Sequence, residues 1–130
     1  MITNLLRHIS GLGPSPQSSQ LWWMQRVTAL ALVPLGLWLI IAVLFLMDDS
    51  YQSVYAWVQS MPNTIGLIVF TLAAFHHAQL GMQVIYEDYL PQEWLKLIAI
   101  LLTKTFFLVL GLAVILAILR IYVSPLRDVL

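Results

Sequence analysis

Residues 77–89 read HAQLGMQVIYEDY and close a long apolar run. On a helix, residues spaced i, i+4, i+7 and i+11 share one stripe. Asp88 follows His77 by 11 residues, which is about 16 Å at about 1.5 Å per residue. Half of the hydrocarbon thickness is ~15 Å, so an imidazole near mid-membrane places Asp88 and Tyr89 at the water boundary. The stripe consists of His77, Gly81, Val84 and Asp88.

The composition indicates a membrane protein. Of the 130 residues, 61% are hydrophobic and 9% are charged, whereas soluble domains have ~45–50% apolar and ~25% charged residues. Six basic and six acidic residues cancel, and nothing indicates nucleic-acid binding. The chain has no cysteine, which excludes disulfides, thiolate metal sites and iron–sulfur ligation within it.

Three apolar segments predict an all-α integral membrane protein with three transmembrane helices. Residues 1–21 are interpreted as an exposed amino-terminal segment, because their Gly-Pro-Ser run is unsuited to a helix interior. Residues 22–130 are interpreted as a single three-helix membrane domain, whose first helix Pro34 is expected to kink. Residues 50–61 form either a short interfacial helix or a plain loop. The predicted spans are residues 22–47, 62–87 and 94–122.

An odd number of spans places the two termini on opposite sides of the membrane. The amino-terminal side would hold Arg7, Arg26 and Lys96. The other side would hold Arg120 and Arg127 together with two aspartates after the first span. The positive-inside rule then favours a cytoplasmic amino terminus by one or two charges.

His77 has two interpretations from the residues alone. It is either a packing histidine that bonds to another helix, or a ligand or proton relay. Imidazole is a common axial ligand of haem iron, and a low-spin haem b needs two. His76 points about 100° away on the helix, so the pair cannot clamp one iron, and His8 lies outside the membrane. A bound haem would therefore need its second histidine from another polypeptide.

The other polar residues also have two interpretations each. His76 is expected to pack or to bond to a neighbouring helix rather than to bind a metal. Arg26 is either a snorkelling cation or a partner for a buried anion such as a haem propionate. Lys104 either snorkels or pairs. Asp88 and Tyr89 either mark a helix end or meet a quinone at the interface, with the phenol donating to a quinone carbonyl.

Two further functions are compatible with the pattern. One is a purely structural membrane anchor with no cofactor. The other is a small proton-coupled carrier that uses His77 and Asp88 as a relay. A carrier normally has more polar lining than Thr71 and Gln79 provide, and usually repeat symmetry.

The segment HAQLGMQVIYEDYL resembles the small membrane-anchor (cytochrome b small) subunit of succinate dehydrogenase, the succinate:ubiquinone oxidoreductase of complex II. That family has a histidine, a glycine four residues later, and Asp-Tyr at the far end of the second of three helices. His77 to Tyr89 matches it without a gap. Its Arg-x-Thr-Ala element in the first helix is matched by Arg26, Thr28 and Ala29.

The resemblance implies one half of a heterodimeric helix bundle that binds haem b and ubiquinone. His77 would be the axial ligand of the haem iron, beside Gly81, with a second histidine from the large cytochrome b subunit. Tyr89 and Asp88 would bind ubiquinone, and Arg26 would lie near the haem propionates. Some relatives have a histidine shortly before that arginine, where this chain has Trp22, Trp23 and Met24.

The resemblance also implies the setting. The anchor would join a flavoprotein and an iron–sulfur subunit in a heterotetramer of the tricarboxylic acid cycle and electron transport. This chain would contribute no catalytic residue to succinate oxidation, although the assembled complex is an enzyme. The absence of a transit-peptide pattern predicts a bacterial inner membrane, with the soluble subunits on the cytoplasmic face.

Overall fold

The computed structural model of the protein describes residues 14–124, and most of them are helical. Within that range the chain forms four α-helices and no strand. Helices α1, α3 and α4 are each long and apolar enough to cross a membrane. The predicted all-α membrane fold with three spans is confirmed. The helices are α1 (Pro14–Leu46), α2 (Tyr51–Gln59), α3 (Met61–Tyr89) and α4 (Glu93–Val123).

Helix α1 begins earlier than the sequence predicts. It starts at Pro14, whereas the predicted span starts at Trp22, so the expectation of a non-helical segment is wrong from Pro14 onward. The reason is that Pro14 and Pro16 occupy the first turn, where backbone N–H groups have no partner within a helix and proline is tolerated. Residues 1–13, the rest of the predicted exposed segment, lie outside the described residues.

The connector between the first two spans is a short helix, α2, and not a plain loop. The indole of Trp57 stacks on that of Trp38 in α1, with ring centroids 5.6 Å apart and an interplanar angle of 27°. The side-chain amide of Gln59 donates to the carbonyl of Ile121 at 2.9 Å and to that of Ser124. These contacts hold α2 against α1 and α4.

Helix α3 packs against α1 in an antiparallel register. Two contacts define this register. The contact nearer the end of α1 is made with a residue nearer the start of α3. The Oγ1 atom of Thr28 lies 2.9 Å from Nδ1 of His77. Further along α1, the Trp38 ring covers Gly66 so closely that a Cβ on this glycine would lie 2.7 Å from it. Glycine at this position therefore allows the close approach of the two helices.

Helix α4 packs antiparallel on α3 in the same way. The hydroxyls of Tyr86 and Thr103 lie 2.8 Å apart. Towards the other end of α3, the Phe75 ring lies where a Cβ on Gly111 would approach it to 3.2 Å. Both α1 and α4 thus use α3 as their packing partner, which makes α3 the central helix.

The described interior is more polar than apolar. Its buried hydrophobic residues are Leu80 and Ile118 alone, whereas the large aliphatic and aromatic side chains of the spans are mostly exposed. Such an arrangement suits a helix bundle in lipid, where hydroxyl and amide groups need protein partners and apolar groups do not. The buried polar residues are Thr28, Thr64, Thr71 and Gln79.

We predict that Gly66→Ala destabilises the subunit by about 1–3 kcal/mol, the usual cost of overpacking. The new methyl would enter the Trp38 ring, which its stack on Trp57 holds in place. Gly36→Ala is the matched control, since a Cβ there meets nothing within 4 Å. Thermal unfolding of the detergent-solubilised assembly measures the difference. Equal melting temperatures for the two variants would contradict the prediction.

Candidate functional site

One continuous helix carries His77, Asp88 and Tyr89. His77 lies near the middle of α3, and Asp88 and Tyr89 lie in its last turn. Tyr89 follows His77 by 12 residues, which corresponds to about 18 Å along the axis. The helix therefore holds the imidazole near its middle and the phenol at its end at a fixed separation along the axis.

His77 has one nitrogen bonded inside the subunit and one directed out of it. Its Nδ1 atom meets the Thr28 hydroxyl, and Thr28 is only 7% exposed. Nε2 has no hydrogen-bond partner within residues 20–124. In the same part of the chain, no side-chain nitrogen or oxygen atom is both buried and without a partner. Among the described residues, Nε2 of His77 is therefore not fully buried.

Gly81 leaves space beside this imidazole. A Cβ built on Gly81 meets nothing within 4 Å, and the residue follows His77 by one helical turn on the same stripe. The surface around Nε2 is accordingly not blocked by a side chain of α3 at this position.

His76 faces a separate, more polar groove. It lines a cavity of about 370 Å³ with Lys104 of α4. Along the same side of α3, the amide of Gln79 donates to Gln83 at 3.2 Å, and Gln83 donates to Glu87 at 3.1 Å. The structure therefore places His76 and Lys104 on one groove, away from the contact between His77 and Thr28.

Arg26 makes no hydrogen bond to His77. Its guanidinium lies over the Trp22 ring, 5.3 Å from the centroid. Arg26 precedes Thr28 by two residues and so points about 200° away around α1. A role for Arg26 beside haem propionates stays a prediction.

Asp88 and Tyr89 are both exposed. Tyr89 is the last residue of α3 and is 80% exposed. Within residues 20–124 neither side chain makes a hydrogen bond to another residue.

The structure connects two further residues with the candidate site. Thr28 stood in the sequence as part of the Arg-x-Thr-Ala element, but nothing there paired it with His77. Tyr86, one turn before the Asp-Tyr pair, bonds to Thr103 of α4 and braces the end of α3 that carries Tyr89. Polar residues within apolar spans are the signal that could have identified both.

A family model described as succinate dehydrogenase/fumarate reductase transmembrane subunit matches residues 2–119. The chain belongs to this family. Its function at this level is that of a membrane-anchor subunit of succinate dehydrogenase, as the resemblance predicted, and it is a multi-pass membrane protein.

Curated relatives of this succinate dehydrogenase family cover most of the chain. The succinate dehydrogenase hydrophobic membrane anchor subunit of Rickettsia bellii is 34% identical over 107 residues, which is 82% of this chain and 85% of that protein. The corresponding subunit of Rickettsia conorii is 29% identical over 81% of this chain and 84% of its own. The membrane anchor subunit of Reclinomonas americana is 29% identical over 64% of this chain and 72% of its own. No solved structure matches the chain significantly.

We predict that Tyr86 and Thr103 are energetically coupled. Tyr86→Phe and Thr103→Val each remove one partner of the bond that joins α3 to α4, and hydrogen bonds between membrane helices average about 0.6 kcal/mol. A double-mutant cycle on the unfolding free energy of the solubilised assembly isolates this term. Tyr51→Phe, at an exposed tyrosine of α2, is the control. Strict additivity of the two changes would count against the coupling.

Proposed function

We propose that this anchor subunit gives His77 as one axial ligand to a haem b shared with a large cytochrome b subunit. We further propose that Tyr89 and Asp88 bind ubiquinone, so that electrons from succinate oxidation reduce ubiquinone to ubiquinol. The observation that carries this proposal is the surface position of Nε2 on His77, with its other nitrogen bonded inside and open space at Gly81.

The residues present fit an iron porphyrin. An axial ligand needs an unshared nitrogen pair at the protein surface and room for the ring, and His77 and Gly81 would supply these two. Within residues 20–124, His76 lines the separate groove, and His77 is the histidine on the stripe with Gly81. A second ligand from a partner polypeptide would complete the site. When bound, the haem would supply a one-electron carrier within the membrane.

The carboxyl end of α3 suits a quinone that enters from the lipid. Reduction of a quinone consumes protons, so the site has to lie within reach of water. The Tyr89 phenol can donate a hydrogen bond to a quinone carbonyl and orient the ring. The Asp88 carboxylate, one residue earlier, can accept a bond from a neighbouring donor or exchange protons with water. Both side chains are exposed in this subunit, as binding between subunits requires.

The antiparallel bundle also supports an orientation. The amino-terminal end of α1 and the Tyr89 end of α3 lie on the same side, because Gln20 lines a cavity with Glu87. Arg26 and Lys96 belong to that side as well. The positive-inside rule then favours the cytoplasmic face of a bacterial inner membrane, where iron–sulfur and flavoprotein subunits would dock beside the quinone.

A structural anchor without cofactor is the competing function. The bond between His77 and Thr28 would serve that role, since it joins α1 to α3. However, packing uses only Nδ1 and leaves the exposure of Nε2 unexplained. The two functions differ in whether the assembled complex contains a b-type haem.

We predict that His77→Ala abolishes or strongly reduces the b-type absorbance of the purified complex. Reduced-minus-oxidised spectra, normalised to protein, measure this. His76→Ala is the matched control, because the adjacent histidine lines the other groove and its loss should leave the haem content unchanged. Full absorbance in His77→Ala, or a colourless wild-type complex, would refute the ligand assignment.

We predict that Tyr89→Phe lowers kcat/KM for ubiquinone by about 2- to 10-fold, the loss of one hydrogen bond. Succinate oxidation with an artificial acceptor should be unchanged, because that reaction needs no quinone. Tyr122→Phe, near the opposite end of the bundle, is the control. Wild-type quinone kinetics in Tyr89→Phe would remove this phenol from the site.

A further inference from the structure

The hydroxyl of Thr28 has three neighbours. Its Oγ1 atom lies 2.7 Å from the carbonyl oxygen of Met24, 3.1 Å from that of Gln25 and 2.9 Å from Nδ1 of His77. The two carbonyls belong to the preceding turn of α1, and they hold the hydroxyl in one direction. Thr28 is buried, so water does not compete for these contacts.

The direction of the single hydroxyl proton determines which tautomer the imidazole adopts. A carbonyl oxygen only accepts, and a threonine hydroxyl has one proton and two lone pairs. If that proton pointed at Nδ1, two oxygen–oxygen contacts, with Met24 and with Gln25, would have no proton between them. If it points at the carbonyls, all three contacts are satisfied and Nδ1–H of His77 donates to the hydroxyl. The second arrangement avoids the repulsion between oxygen lone pairs that the first would create.

We infer that Thr28 is a positioning residue for the haem ligand: its hydroxyl holds His77 as the Nδ1–H tautomer, with the Nε2 lone pair directed out of the subunit. This inference rests on the proposed function of His77. The Thr28 side chain touches neither haem nor quinone. It acts through the imidazole, as outer partners of ligating histidines do.

Two properties of the haem should follow from this bond. An acceptor on Nδ1–H makes the imidazole a stronger electron donor, and a stronger donor favours ferric over ferrous iron. The bond also fixes the ring plane of His77, which affects the g values of a low-spin ferric haem. Removal of the hydroxyl should therefore raise the midpoint potential and shift the EPR spectrum.

Thr28→Val tests the inference, because valine keeps the shape of threonine and lacks the hydroxyl. The purified, haem-loaded complex is titrated redox-potentiometrically at one pH, and its low-temperature EPR spectrum is recorded. We expect a more positive midpoint potential, shifted g values and a haem affinity lower by roughly 10- to 100-fold. Thr28→Ser retains the hydroxyl and should restore all three values.

Thr71→Val is the matched control for the loss of a bond along the helix. Thr71 is buried and donates to the carbonyl of Leu67 at 2.8 Å, with no partner on another helix among residues 20–124. This change should leave the potential and the g values at their wild-type values. A Thr28→Val complex that matches Thr71→Val in both measurements would overturn the inference.

The outcomes separate this inference from the proposed function. Retention of haem in His77→Ala would overturn both. Loss of haem in His77→Ala, with wild-type values in Thr28→Val, would overturn the Thr28 role alone. If Thr28→Val does not assemble, Thr28→Ser and Thr28→Ala decide: wild-type values in serine and a shift in alanine support the role, whereas equal values in both contradict it.

Discussion

The hydrocarbon interior of a membrane provides no hydrogen bonds, and this constraint organises the whole chain. Every hydroxyl or amide within a span needs a protein partner. Buried threonines and a buried glutamine therefore lie within and between helices, while aliphatic side chains cover the outside. The bundle is held by close approach at Gly66 and Gly111 and by isolated polar contacts. An apolar core of the soluble kind is not what joins these helices, because lipid solvates apolar side chains equally well.

The same constraint bears on the candidate site, which we propose to be completed by a second subunit. A histidine with both nitrogens satisfied internally would be a packing residue and nothing more. His77 instead bonds through one nitrogen to Thr28 and presents the other at the surface. An unpaired nitrogen that faced lipid would be costly, so its position favours an occupant outside this subunit. Membership of a family of anchor subunits is consistent with such an incomplete surface.

Much of the fold could be predicted from the sequence, because hydropathy and length alone define membrane spans. The start of α1 could not, since two prolines read as helix breakers are compatible with a first turn. The stripe from His77 to Asp88 was also predictable, because it depends only on the period of one helix. The pairing of His77 with Thr28 was not, because it depends on the register between two helices, and no local pattern determines that register. The position of the Arg26 guanidinium over the Trp22 ring was not predictable either, and its proposed place beside haem propionates stays a prediction.

The central position of α3 connects the depth of the imidazole to the edge of the membrane. His77 and Tyr89 belong to one uninterrupted helix, so their separation along its axis cannot change without breaking backbone bonds. Contacts on both flanks restrict rotation of that helix: Thr28 holds it from α1, and Thr103 holds Tyr86 from α4. A rotation that improved the contact of Nε2 with a partner would therefore strain the bond at Tyr86 and displace Tyr89 as well. The two proposed binding sites therefore lie on one helix that is held from both flanks, and no described side chain of one touches the other.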